Sequence, residues 1–274
     1  MTELQIVERL RSRFGVTGRG IVLGIGDDCA IFRPVGSPQD LVFTTDQMIE
    51  GAHFHPGARP SWIGEKALAR ALSDIAAMAA DPRFCLVSLA VPRSFDLDAF
   101  YRGLGRIADR FSILVAGGDL ARSRSVSCDV VVCGSVPRGR ALRRDRARPG
   151  DAIYVSGPLG QSALRKYRNI PEPRIAWGRN LRGRATAGMD LSDGLSLDLH
   201  RLCDASSVGA SLFNVPVASG ATLEQALHGG EDYELLYTGQ KLPGLEIGVI
   251  THGPSGSVTF NGSPLAPGGW DHFA

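Results

Sequence analysis

Residues 21–46, IVLGIGDDCAIFRPVGSPQDLVFTTD, set two β-rich runs on either side of a Gly- and Pro-containing turn, and each run meets an aspartate beside glycine or threonine. β-Branched and apolar residues broken by glycine and ended by aspartate read as strands. The combination recurs in ILVAGGD, ending at Asp119, and in TAGMDLSD, with Asp190 and Asp193. Between these runs SWIGEKALARALSDIAAMAA, residues 61–80, predicts a helix with Leu68, Ala71, Leu72, Ile75 and Ala79 as its buried stripe. Pro82 is expected to stop it. FCLVSLAVP predicts a strand, DLDAFYRGLGRIADRF a helix, and SVSCDVVVCGSV a strand with Val130 and Val132 on one face.

The stretch PRGRALRRDRARPGD, residues 137–151, is the best candidate boundary, giving an N-terminal domain of residues 1–137 and a C-terminal one of 138–274. The second half predicts strands in AIYVSG, RATAGMD, YELLYT and EIGVI. It predicts helices around GQSALRKY, in GLSLDLHRLCDAS and in ATLEQALHGG, with a loop through Pro171 and Pro173. The chain is therefore of the α/β (α+β) class. Its Gly- and Pro-rich end carries Trp270 and Phe273, large apolar side chains that need burial or a ligand.

Composition removes several function classes. A hydrophobic share of 43% is ordinary for a globular chain, and a formal charge of +2 gives no reason to expect nucleic acid. No apolar run suits a membrane, and MTELQIVERLRSRFG reads as a polar amphipathic helix, so the expected location is cytoplasmic. The five cysteines show no CxxC spacing and read as buried thiols. None of the three lysines sits in a GxxxxGK[ST] loop, so any phosphate must be held by metal, arginine or backbone.

A single aspartate at a strand end is commonly a turn residue. Asp27, Asp28, Asp46, Asp119, Asp190 and Asp193, if brought together, would repel one another, and divalent cations are the natural relief. Oxygen-only ligands favour Mg²⁺ over zinc. Asp74 lies off the apolar stripe of its helix, near Lys66 and Arg70. Spacing leaves open a solvated face with an Arg70/Asp74 pair or a metal ligand. The basic run RRDRAR, 143–148, reads on general grounds as a solvated loop.

In order along the chain, GIGDDCA, TTDQMIEGAHF, KALARALSDIAAMAADP, AGGD, GRALRRDRARPGD, MDLSDGL, GGEDYEL and GWDHF resemble the blocks of the thiamine-monophosphate kinase family. The resemblance implies the PurM-like fold shared with aminoimidazole ribonucleotide synthetase and selenophosphate synthetase. In that fold an N-terminal domain pairs with its twin across a homodimer to form a barrel, and a C-terminal α/β domain covers the ATP site. It further implies ATP as co-substrate, thiamine monophosphate as acceptor and several Mg²⁺ ions. Asp28, Thr44, Thr45, Asp46, Asp74, Asp119, Asp190 and Asp193 match the metal ligands. Tyr101, Gly118, Asp119, Arg144 and Ser192 match the ATP contacts, and His53, Glu231 and Trp270 the residues that meet the thiamine phosphate. Near residues 165–172 the chain is shorter than the family usually is, with none of the matched motifs in the gap.

The chemistry so implied suits these side chains. Phosphoryl transfer is mainly positioning and charge neutralisation. A phosphomonoester, with a second pKa near ~6, is already ionised at neutral pH and needs no general base. The planar guanidinium of Arg144 suits a bidentate phosphate clamp. Trp270 offers an aromatic face to a cationic thiazolium, or else anchors the tail. A related synthetase with a reactive N-terminal cysteine is disfavoured, since Cys29 lies in an apolar strand. A phosphohydrolase or a regulatory nucleotide-binding protein would differ in its products.

Overall fold

The computed structural model describes residues 3–15 and 17–271. Helix α1 spans Glu3–Phe14. Strands β1, β2 and β3 span Ile21–Leu23, Ala30–Phe32 and Gln39–Ile49, and helix α2 spans Pro60–Ala77. β4 (Asp81–Val91), α3 (Leu97–Phe111), β5 (Leu114–Arg122) and β6 (Ser127–Pro137) complete the first half. After a 3-10 turn at Arg144–Arg146 come β7 (Ala152–Val155), α4 (Gln161–Leu164), α5 (Ile175–Leu181), β8 (Ala187–Asp190) and α6 (Leu195–Ser206). Then follow β9 (Gly209–Leu212), α7 (Leu223–His228), β10 (Leu235–Gly239), β11 (Leu245–Thr251), β12 (Val258–Phe260) and β13 (Ser263–Pro264).

The first sheet has the order β1-β2-β3-β6-β4-β5 and the second β13-β12-β9-β11-β7-β10-β8. In the single chain the first sheet is open, with β1 and β5 at its edges. Its pleat sorts β3 by parity: Val42, Thr44 and Met48 are buried beneath α2, whereas Thr45, Gln47 and Ile49 reach the other, open face. Strand β5 is exposed along its whole length, and Leu86 on β4 adds to the open face.

Helix α2 joins the halves. It packs on β3 and β6 of the first sheet, on β8 of the second, and on α3 and α5. Its flanks Ala67, Leu68, Ala69, Ala71, Leu72, Ile75 and Ala76 are all buried, as expected of a helix apolar nearly all round. One core accordingly includes Tyr154, Ile175, Leu181, Leu235 and Tyr237 of the second half, while that half keeps a further core around Leu199 and Leu236.

Two expectations about this helix need correction. It ends at Ala77 and is stopped by local backbone bonding, not by Pro82, which belongs to β4. The N–H groups of Ala79 and Ala80 donate to the carbonyls of Ala76 and Ile75, with Ala79 in the left-handed region at φ 54. The solvated face with an Arg70/Asp74 pair is absent, because α2 has neighbours on every side and Arg70 pairs with Asp46.

Sequence reading also missed α5, whose Trp177 donates to Tyr237 Oη at 3.1 Å and just past whose end Arg182 donates to Asp81 Oδ2 at 3.0 Å. No helix among the described residues is long and apolar enough to cross a membrane, and all five cysteines are buried and unpaired with one another.

Helices α2 and α3 meet backbone to backbone, so a Cβ at Gly103 would lie 1.9 Å from the Ser61 carbonyl oxygen, whereas one at Gly105 would meet nothing within 4 Å. Gly103→Ala is therefore expected to lower stability in urea unfolding by about 1–3 kcal/mol through overpacking. Gly105→Ala should raise it by roughly 0.5–1 kcal/mol, the helix-propensity gain of alanine over glycine.

Candidate active site

Asp28 from the β1–β2 loop, Asp74 from α2 and Asp190 from the end of β8 converge so that one carboxylate oxygen of each lies within 4.8 Å of the others. Asp28 Oδ2 and Asp190 Oδ2 are buried without a hydrogen-bond partner among the described residues. Burial, then the neighbouring carboxylates, pushes Asp74 and Asp190 well above the usual carboxylate range. Two like charges at this separation repel by about 3 kcal/mol at an effective dielectric of 20. Thr44 Oγ1 donates to Asp74 Oδ2 at 2.5 Å, fixing one oxygen. Orphaned, buried oxygens of a hard, all-carboxylate set fit a divalent cation such as Mg²⁺.

Arg144 is no solvated-loop residue. Its Nη2 donates to Asp28 Oδ1, its backbone N–H donates to Asp27 Oδ2 at 3.1 Å, and Ser206 Oγ holds its carbonyl at 2.6 Å. Asp27 itself is pushed up to about 7 by burial and by Asp28.

On the other side of Asp74 opens a cavity of about 680 Å³ whose wall includes Asp46, His53, Arg70, Ser192, Glu231 and Trp270. The segment GGEDYEL shapes it through two residues in the left-handed region, Glu231 at φ 53 and Tyr233 at φ 52. Glu231 Oε2 accepts from Lys66 Nζ at 2.6 Å, and Arg70 lies over the Tyr233 ring at 5.8 Å. Asp232, between them, turns away to accept from the N–H groups of Gly160 and Ser162 at 2.6 and 3.0 Å. The Glu231 N–H donates to the Ser192 carbonyl at 2.7 Å, and the Trp270 N–H to the Asp193 carbonyl at 3.1 Å. Trp270 is half exposed, and Phe273 lies outside the described residues.

The remaining predicted residues are distributed as follows. His53 Nδ1 accepts from the Ile49 N–H at 3.1 Å, which orients the ring at the cavity wall. Asp46 pairs with Arg70 at 3.1 Å, and Asp193 pairs with Arg201. Thr45 is parted from Thr44 by the pleat and donates to Asp129 Oδ1 at 2.5 Å on the open face. Gly118 and Asp119 sit on edge strand β5, in a row running Gln47, Asp129, Ser88, Asp119, so the single chain does not bring Asp119 to the carboxylate cluster. Gly118 answers a packing need, since a Cβ there would lie 1.9 Å from the Val87 carbonyl oxygen. Tyr101 packs edge-on against Phe100 at 5.2 Å and is not part of the cavity wall.

Two features escaped sequence reading. Lys66, fully buried, also donates to the Tyr167 carbonyl at 2.8 Å, and Trp62 Nε1 donates to the Arg168 carbonyl at 3.0 Å. The short connection at 166–168 therefore forms part of the cavity wall rather than lying remote from it.

Comparison with known proteins gives this arrangement a lineage. Residues 26–136 match the family described as AIR synthase related protein, N-terminal domain. Thiamine-monophosphate kinase of Salmonella typhimurium is 36% identical over 90% of this chain and 85% of its own. The chain belongs to the thiamine-monophosphate kinase family. Among solved structures, that of AaThiL complexed with AMPPCP and TMP superposes with a TM-score of 0.89 at 29% identity, covering 99% of this chain and 97% of that one. The thiamine-monophosphate kinase of Stenotrophomonas maltophilia K279a gives 0.77 at 34% identity, covering 96% and 98%. The two-sheet α/β fold of this member of the kinase family is thus that of its solved relatives.

Because Asp28, Asp74 and Asp190 repel without a cation, Mg²⁺ is expected to raise the melting temperature of the wild-type protein. Asp190→Asn should gain roughly 1–3 kcal/mol of metal-free stability from relieved repulsion and lose most of the Mg²⁺ response. Differential scanning calorimetry with and without Mg²⁺ checks both. A wild-type protein indifferent to Mg²⁺, with a less stable Asp190→Asn, would show that the three carboxylates have a purely structural role.

Proposed function

We propose that this chain transfers the γ-phosphoryl group of ATP directly, in line, to the phosphate of thiamine monophosphate, forming thiamine diphosphate with several Mg²⁺ ions bound. The observation that supports it best is the adjacency of two unlike regions. One is a cluster of Asp28, Asp74 and Asp190 suited to cations, and the other a cavity with Trp270, His53 and Glu231 in its wall. The relative AaThiL was solved with AMPPCP and TMP together, which supports the same pair of ligands here.

In this reading Asp28, Thr44, Thr45, Asp46, Asp74, Asp119, Asp190 and Asp193 are the metal ligands. Mg²⁺, when bound, supplies neutralisation of phosphate charge. Arg144, now paired with Asp28, has the guanidinium fork to hold nucleotide phosphate, beside Ser192. His53 donates to the acceptor phosphate and takes no proton from it, because that oxygen is already ionised at neutral pH. Trp270 presents its face to the cationic ring system, and Glu231, held by Lys66, lines the same chamber.

We further read residues 1–137 and 138–274 as two domains, and the protein as a cytoplasmic homodimer. The long exposed strand β5 and the open sheet face support a second copy there, which would bring Tyr101, Gly118 and Asp119 to a neighbouring nucleotide site and close the barrel.

Incubation with ATP, Mg²⁺ and thiamine monophosphate should yield thiamine diphosphate and ADP in equal amounts by mass analysis, with no turnover in EDTA. ADP and free phosphate with the thiamine ester unchanged would replace this reading with a hydrolase. Trp270→Ala should weaken thiamine monophosphate binding by about two- to thirty-fold, the worth of a cation–ring contact. Trp270→Phe should recover much of that loss, and ATP affinity should move far less. Equal weakening toward both ligands in titration calorimetry would make Trp270 a tail anchor.

A further inference from the structure

Helix α2 carries Lys66, Arg70 and Asp74 at i, i+4 and i+8, one above another; Arg70 and Asp74 line the cavity, and Lys66 is bonded to Glu231 of its wall. Four residues of helix rise about 6 Å. The three side chains therefore mark successive levels between the Glu231 end of the chamber and the carboxylate cluster. Each end is committed. Lys66 Nζ is taken by Glu231 Oε2 at 2.6 Å and the Tyr167 carbonyl at 2.8 Å. Asp74 accepts from Thr44 and belongs to the cluster with Asp28 and Asp190.

Arg70, at the middle level, is not used up. Its side chain is 9% exposed, with Nη2 at 3.1 Å from Asp46 Oδ1 and Nη1 at 4.0 Å from Glu231 Oε1. Nε and Nη1 are buried and have no hydrogen-bond partner among the described residues. Buried donors left unmade are costly, and a guanidinium has five of them in a rigid fork. The other cations of the cavity wall, Arg59, Lys166 and Arg168, are exposed at its rim. A counter-ion for Asp46 alone would engage one nitrogen. Arg70 also lines the cavity at the level between cluster and chamber, where its guanidinium fork suits a ligand with several acceptor oxygens.

We propose that Arg70 binds the phosphate of the acceptor and is the residue by which the cavity distinguishes a phosphorylated ligand from its unphosphorylated counterpart. The assignment rests on the acceptor reading given under Proposed function. It makes Arg70 a specificity residue whose charge lies where the donor and acceptor phosphates approach.

The test is titration calorimetry of wild type, Arg70→Met and Arg70→Lys with thiamine monophosphate and with thiamine, Mg²⁺ being present throughout. Arg70→Met should lose about 10- to 100-fold in affinity for thiamine monophosphate, the range for hydrogen bonds to a charged group. Its affinity for thiamine should move by less than about two-fold, and Arg70→Lys should fall between, keeping the charge without the fork. Equal losses for both ligands, or none, would overturn the Arg70 assignment alone. A wild-type protein that fails to bind thiamine monophosphate would overturn the acceptor reading itself. Should Arg70→Met not fold, a crystal structure of the wild-type protein with thiamine monophosphate decides. A guanidinium nitrogen of Arg70 within about 3.2 Å of a phosphate oxygen supports the proposal, and a phosphate seated elsewhere refutes it.

Discussion

Asp28, Asp74 and Asp190 come from a loop, a helix and a strand end in different parts of the chain, and holding their oxygens within 4.8 Å of one another is the constraint the surrounding structure must meet. Left alone, the three would separate or take up protons. Burial has already pushed Asp74 and Asp190 toward the neutral form. The convergence persists because each bearing element is fixed from outside the cluster. Asp190 ends a strand bonded to β10, Asp28 is gripped by Arg144, and Asp74 rides on a helix enclosed on all sides.

That enclosure explains why α2 carries so little besides alanine, leucine and isoleucine around its polar ridge. Small side chains let α3 and α5 approach closely. A Cβ at Gly64 would lie 2.2 Å from the Phe100 carbonyl oxygen, and one at Gly178 would lie 2.1 Å from that of Ala76. A helix pinned this tightly cannot rotate to relieve its polar residues, so Lys66, Arg70 and Asp74 must find partners where they point. Glu231, Asp46 and Thr44 are those partners, and the two left-handed residues of GGEDYEL are the local strain that presents Glu231 and Tyr233 to the first two levels.

Long periodic segments were legible from sequence because their apolar residues decide the element. The strand through VFTTD and the helix through KALARALSDIAA stand where the pattern puts them. Shorter pieces were not. In PEPRIAWGRNL two prolines precede a seven-residue helix, and β9 has only GASL to announce it. The surroundings of Asp74 were illegible for a different reason. Alanines on every flank of α2 satisfy a buried and a half-exposed position equally well, so periodicity does not distinguish a solvated face from one pressed against a second sheet. Lys66 was hidden by the ordinary habit of lysine to be exposed, which its pairing with Glu231 overrides.

The pleat of β3 separates what looks continuous in TTD. Thr44 and Asp46 serve the side beneath α2, while Thr45 joins Asp129, Ser88 and Asp119 on the open face. Three adjacent residues thus address two environments, one internal to the chain and one facing outward. The outward set is acidic and hydroxylic, yet it lies among Leu86 and the uncovered length of β5, surfaces that gain by being covered. The inward set has its neighbours supplied by the same chain. An alternation of side chains along one strand is therefore enough to let a single motif take part both in a site the chain completes by itself and in one that a second molecule would have to complete.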